Sequence, residues 1–239
     1  MANALSGVQP GARGRRVFDV MSTLVMIALA SVLVWQGWGD QRGRSLQAPV
    51  IAAPGQPLDL VGRPRIGSGA ARVGMIVYSD FECPYCGKFA REILPVIQSE
   101  FVSSGQGFLV FKHYPLGGHV YAPAAAAASQ CGGRQGQFWA MHDRLFALPM
   151  KLAAADLRST AERAQLDLAD YDACLRDPAT ARVISEDSAE AQAIGLTGTP
   201  GFVFGIVDDR QRLRASDVLM GARPVAEFRA ILKRLATGT

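Results

Sequence analysis

The sequence predicts an α/β domain with the order βαβ, helical insertion, ββα, preceded by a single apolar N-terminal helix. Three observations carry this expectation. An uncharged run of 20 residues stands near the N-terminus. Two β-rich runs then flank a stretch whose apolar residues recur every four positions. A long strand-free stretch, rich in Ala, Leu, Gln and Glu, separates these from a last pair of β-rich runs and a closing helix.

The 239 residues suffice for one domain of ordinary size plus extra segments. A hydrophobic content of 49% excludes a disordered chain, and 25 Gly with 13 Pro exclude a collagen-like one. Four Cys are too few for a disulfide-dense scaffold. The net charge of +4 is unevenly spread. Residues 1–72 hold eight Lys/Arg against three Asp/Glu, while residues 73–239 hold 17 against 18. The basicity lies outside the expected domain, which leaves no broad footprint for DNA or RNA.

Val20 to Gly39 contains no charge, and as a helix it would rise about 30 Å, the thickness of a bilayer core. Trp35 and Trp38 fall at its far end, where aromatic rings favour the headgroup level. Arg13, Arg15 and Arg16 would also suit a cleaved signal peptide. However, no A-x-A site follows closely: Gly37-Trp38-Gly39 is a poor candidate, and Val50-Ile51-Ala52 is distant. The expected arrangement is a cytoplasmic tail over 1–19, a transmembrane anchor over 20–39 and a linker over 40–71. That linker holds five Gly and four Pro, with a short strand near Pro57–Val61. It would span about 30 Å root-mean-square as a flexible coil.

The domain is expected over 72–239. Val73–Tyr78 reads as a buried strand and Phe108–Phe111 as a second. Between them Cys83-Pro84 opens a helix, with proline where its missing N–H costs nothing. Phe89, Ile93, Ile97 and Phe101 give that helix an apolar face, and Pro95 is expected to kink it. Strand, helix and strand in this order imply a parallel pair. Residues 121–194 read as a helical insertion. Gly198-Thr-Pro-Gly201 interrupts the helical pattern, and Phe202–Phe204 and Val218–Met220 form a last pair of strands. Pro224 starts a final helix on which Phe228, Ile231, Leu232 and Leu235 share a face.

Cys83-Pro-Tyr-Cys86 lies at the first strand-to-helix junction, which is a redox placement. A helix N-terminus stabilises a thiolate at Cys83, and Cys86, three residues on, can resolve a mixed disulfide. Half of a zinc site is the bland alternative, but it needs a second close Cys pair, and Cys131 and Cys174 are 43 residues apart. Copper on Cys83, Cys86 and His113 is chemically admissible, though no spacing demands it. His113 otherwise reads as a structural histidine, His119 as a solvated loop residue and His142 as helix packing. Lys88 reads as a solvated charge.

Ser79-Asp-Phe-Glu-Cys-Pro-Tyr-Cys86, Phe138-Trp-Ala-Met-His-Asp143 and Gly198-Thr-Pro200 together resemble the DsbA-like thiol:disulfide oxidoreductases, over roughly residues 66–236. The resemblance implies a thioredoxin fold with a helical insertion, at work in the bacterial envelope. It implies Cys83 as nucleophile, Cys86 as resolving thiol, and Pro200 as a cis-proline presenting the Thr199 backbone to an extended substrate. In an oxidising compartment Cys131 and Cys174 are expected to form a structural disulfide rather than two buried thiols. That closure could contribute about 4 kcal/mol on the chain-entropy model. It would also set the domain on the periplasmic side of the inner membrane, with the N-terminus inside.

The expected function is oxidation of dithiols in secreted or periplasmic proteins. Reduction or isomerisation is the alternative within the enzyme class, and a peptide-holding chaperone or a copper-binding thiol protein is the alternative outside it. The expected partners are cysteine-containing substrate proteins and a membrane redox protein, without nucleic acid, for a monomer. No cofactor beyond the Cys83–Cys86 disulfide and no metal are expected. Strand Val73–Tyr78 carries no acid, and the nearest, Asp80 and Glu82, oppose a Cys83 thiolate. The Pro-Tyr dipeptide supplies no His to offset them. These terms predict a Cys83 pKa between ~4 and ~7 and a potential on the order of −120 to −270 mV.

Overall fold

The computed structural model describes residues 24–28, 31, 57–147 and 152–238. The chain falls into two units, Met1–Gln47 and Ala48–Thr239. In the first, residues 24–28 and 31 are helical and exposed. The tail expected over 1–19, and most of the anchor expected over 20–39, lie outside the described residues. Among the described residues no helix is long and apolar enough to cross a membrane.

The second unit is built on a six-stranded sheet of order β1-β6-β5-β3-β4-β2. Its strands are β1 (Leu58–Asp59), β2 (Arg65–Gly67), β3 (Val73–Ser79), β4 (Gly107–His113), β5 (Gly201–Val207) and β6 (Arg212–Met220). β3 and β4 run parallel, as a crossover helix requires, and all other pairs are antiparallel. Every residue of β3 and β4 is buried, the signature of central strands covered on both faces. β1 matches the strand expected near Pro57–Val61. β2 was not expected, and it lies in the stretch read as linker. Three residues with one aliphatic, Ile66, carry no period; pairing with β4 and the stacking of Arg65 over the Phe108 ring at 4.2 Å make the strand.

The crossover helix α1 (residues 84–102) alternates in character. Pro84–Lys88 and Leu94–Ile97 are α-helical, whereas Phe89–Ile93 and Gln98–Val102 are π-helical. Where a kink was expected, before Pro95, the helix changes its bonding: Leu94 N–H reaches back five residues to Phe89 O, next to a proline that has no N–H to give. The insertion comprises α2 (Ala122–Arg134), α3 (Phe138–Ala147), α4 (Ala154–Arg163), α5 (Leu168–Arg176) and α6 (Pro178–Ala193). α7 (Val225–Thr237) closes the domain.

Strand alternation distributes two cores. Met75, Val77, Leu109, Phe111, Phe202 and Phe204 meet Phe89, Ile93, Ile97 and Phe101 of α1, Phe228 and Leu232 of α7, and Phe138 and Met141 of α3. Ile76, Tyr78, Phe108, Val110 and Val203 meet Ala191 of α6, Leu196, Leu58 and Leu60 on the other face. Gly107 is required where α1 returns to the sheet, since a Cβ there would lie 1.9 Å from the Phe101 ring.

Candidate active site

β3 ends at Ser79, and the chain turns through Asp80–Glu82 before α1 begins. Phe81 holds the turn in place, buried against the rings of Phe111 and Phe146 at 5.5 and 4.8 Å. Cys83 is the N-cap of α1, extended at φ −76° and ψ 121°, with Pro84 following it in the helix. Its N–H donates to Asp80 O at 3.2 Å, and Gly87 N–H donates to Cys83 O at 3.1 Å. Cys83 and Cys86 are both unbonded thiols; Cys83 is 6% exposed and Cys86 not at all.

Segments 116 positions apart meet at these sulfurs. The Thr199-Pro200 peptide is cis, and the Cys83 thiol donates to Thr199 O at 3.3 Å. Gly221 N–H donates to Pro200 O at 2.7 Å and holds that turn to the end of β6. Thr199 Oγ1 is buried without a hydrogen-bond partner among the described residues. Cys83, Cys86, Thr199 and Pro200 are thus gathered into one site. Cys131 on α2 and Cys174 on α5 are joined by a disulfide with Cα atoms 5.7 Å apart, outside that site.

The electrostatics separate the two thiols. Hydrogen bonding from Cys86 brings the Cys83 pKa down to about 5; burial opposes this, and the backbone N–H groups of Cys86 and Tyr85 reinforce it. Cys86 moves the other way, pushed well above its ordinary value by burial and by the neighbouring Cys83. Asp80 N–H lies 3.5 Å from Cys86 Sγ. A low-pKa thiolate that keeps a little exposure, in front of a fully buried neutral thiol, is a nucleophile with its resolving partner.

The acids at the junction are not solvated opponents of the thiolate. Asp80 is 2% exposed. Its carboxylate accepts from Glu82 N–H at 2.7 Å and Leu116 N–H at 2.8 Å, and it meets His119 Nδ1 at 2.7 Å. Glu82 accepts from Tyr121 N–H at 2.7 Å and Ala122 N–H at 3.0 Å, at the start of α2. His119, read from sequence as a solvated loop residue, is therefore an ion-pair partner whose side chain is 28% exposed. Nothing local signals this pairing, because Asp80 and His119 are 39 residues apart. Burial lowers the His119 pKa, but Asp80, then Glu82 and Cys83, raise it above the ordinary value overall.

The other histidines lie in the apolar core. His113 is buried against Phe81 and Phe111, with Nε2 3.4 Å from Gln130 Oε1, and burial drives its pKa down to about 4. His142 packs among Phe81, Phe111, Trp139 and Phe146. Lys88 is exposed. Among the described residues no group of three or more His, Cys, Asp or Glu is placed to hold a metal, so Cys83, Cys86 and His113 form no such set.

Residues 59–233 match the Thioredoxin_4 family, described as thioredoxin. The chain belongs to this thioredoxin family. Solved structures agree with it in fold. BdbD from Bacillus subtilis superposes with a TM-score of 0.67 at 20% identity, over 78% of this chain and all of that one. Alpha-DsbA1 from Wolbachia pipientis superposes at 0.66 and 22%, over 76% and 94%.

The curated relatives differ in length. The Na(+)/H(+) antiporter NhaA 1 of Salinispora arenicola is 40% identical over 137 residues, 57% of this thioredoxin-family chain but 20% of its own length. The antiporter NhaA of Herminiimonas arsenicoxydans is 30% identical over 207 residues, 82% of this chain and 30% of its own. The chain thus spans between a fifth and a third of these relatives. A match covering 82% of 239 residues necessarily includes Cys83 and Cys86.

Proposed function

We propose that the protein is an envelope thiol:disulfide oxidoreductase that oxidises dithiols of secreted or periplasmic proteins. The observation that carries this is the Cys83 thiol, shifted to about 5 at the N-terminus of α1, set against Thr199 O and backed by Cys86. A substrate thiolate attacks Cys83 Sγ of the enzyme disulfide. The Cys83–Cys86 bond breaks, a Cys83–substrate bond forms, and Cys86 leaves and takes a proton. A second substrate thiolate then attacks the substrate sulfur and expels Cys83 as a thiolate. The substrate loses two electrons and the enzyme disulfide gains them. Stabilising the departing thiolate favours the reduced enzyme, which supports oxidation over reduction. Tyr85 between the two cysteines, and Val120 and Tyr121 on the loop tied to Glu82, are exposed and suit an extended substrate segment.

The test is trapping. Cys83→Ser should abolish exchange, and Cys86→Ser should accumulate mixed disulfides visible on non-reducing gels. If Cys83→Ser exchanges at the wild-type rate, the assignment is wrong.

Placement outside the cytoplasm, on a single-pass anchor with a membrane redox partner, belongs to the same reading. The Cys131–Cys174 bond and the uncharged run over 20–39 support it. Fractionation should leave the full-length chain in the membrane, with the domain open to protease from the envelope side. A soluble mature form would refute the anchor. Ion antiport is not part of the proposal, since this chain matches only a minor part of the antiporters, and the stretch matched to the Herminiimonas arsenicoxydans protein carries the thiol pair.

A further inference from the structure

The Pro-Tyr dipeptide leaves Cys83 without a positive neighbour in sequence, yet the fold brings one from 36 residues downstream. The loop carrying His119 is fastened to the Asp80–Cys83 turn at several points. Leu116 N–H and the His119 ring hold Asp80, while Tyr121 and Ala122 N–H hold Glu82. The loop is closed internally by His119 N–H donating to Leu116 O at 2.9 Å. Asp80 is itself joined to both cysteines, through its carbonyl to Cys83 N–H and through its N–H to Cys86 Sγ. A buried carboxylate is thus built into the turn that holds the reactive sulfur, and the imidazole against it decides its net charge.

We propose that His119 is a redox-positioning residue: when protonated it cancels the charge of Asp80 beside Cys83, which favours the Cys83 thiolate and makes the Cys83–Cys86 disulfide the stronger oxidant. This rests on the oxidoreductase reading. The groups that act most on His119 are Asp80, Glu82 and Cys83, all negative when ionised, and each favours its protonated form. With His119 protonated, the Asp80–His119 pair is neutral. With His119 neutral, the pair carries one negative charge next to the thiolate. Oxidising strength should therefore fall as pH rises through the His119 midpoint, beyond the ordinary proton dependence of thiol exchange. Because His119 is partly exposed, the coupling has the size of a screened ion pair, about two- to fivefold in an equilibrium constant. Roughly 1 M salt should reduce it.

Coupling is reciprocal, so the wild-type protein supplies the first test. The His119 ring titration is followed by NMR in the reduced and the oxidised protein, where Cys83 is a thiolate and then an uncharged disulfide. It is recognisable because burial lowers the midpoints of His113 and His142, whereas that of His119 is raised. The His119 acid constant should rise about two- to fivefold on oxidation. His119→Gln should raise the Cys83 midpoint, read by thiolate absorbance, by the same factor and make the glutathione equilibrium less oxidising. His119→Lys should restore both. A merely structural role for the loop would not produce equal and reciprocal shifts. A His119 midpoint that is the same in both redox states overturns the proposal while leaving the oxidoreductase reading intact. A wild-type protein that does not react with glutathione overturns both.

Discussion

Cys83 sits between stabilising donors and burial, and the donors prevail. Cys86 and two backbone N–H groups act on a sulfur that has little contact with solvent, and its pKa settles near 5. Half-maximal alkylation of the reduced protein should therefore fall near pH 5 for Cys83, while Cys86 should resist alkylation at neutral pH. Rates of iodoacetamide labelling, resolved by mass spectrometry, check both statements. The sign for stability follows from a depressed folded value. The Cys83 thiolate stabilises the reduced fold fully above the unfolded thiol pKa of about 8.5. That contribution is lost as pH falls through about 5. A Cys83 that labels with a midpoint near that of a free thiol would remove the physical basis of the proposed direction of exchange.

At the scale of elements, the link between the β3–α1 turn and the insertion is the start of α2. Its N-cap, Tyr121, offers no side-chain cap, and Glu82 from the active-site turn accepts the open N–H groups instead. Glu82→Ala should cost about 1 kcal/mol, the usual size of a lost cap. Thermal melting measures that loss, and amide exchange over 116–122 should quicken with it. Equal protection in the variant would show that Ala122 and Tyr121 find other acceptors. α1 shows a different balance. The four-residue recurrence of Phe89, Ile93, Ile97 and Phe101 still buries all four side chains although two of its turns are π-helical. Burial of one face tolerates a local change of pitch where proline withholds a donor.

For the whole molecule, one set of long-range polar bonds holds the insertion to the sheet, and a disulfide braces the insertion itself. Across the second core, Arg63 meets Asp187 at 2.6 Å, and Lys112, 2% exposed, and Tyr78 both meet Glu190. These bonds fasten residues 57–71 and α6 to β3 and β4, and burial raises the pKa of Asp187 even beside Arg63. Within the insertion, the Cys131–Cys174 bond closes a loop of 43 residues. Replacing both cysteines by Ser should lower stability by up to about 4 kcal/mol on the chain-entropy model while the exchange rate is kept. Denaturant midpoints and a turnover assay separate the two. Loss of turnover at unchanged stability would make this pair a relay.

The parallel βαβ unit, the apolar face of α1, the helical insertion and the Cys83–Cys86 pair at a helix start are all legible along the linear chain. Each rests on a local signal: a short β-rich run, a recurrence every four residues, a proline at a helix entrance, or a spacing of three. Groups far apart in the chain meet only once the domain is folded. Thr199 O reaches Cys83 across 116 positions, and His119 reaches Asp80 across 39. β2 exists because β4 offers it an edge, and Lys112, Asp187 and Glu190 form buried or half-buried pairs that composition would leave in water. Periodicity reports which face of an element turns inward. It does not report which polar group on another element will meet a buried charge, because that pairing is fixed by packing of the finished fold.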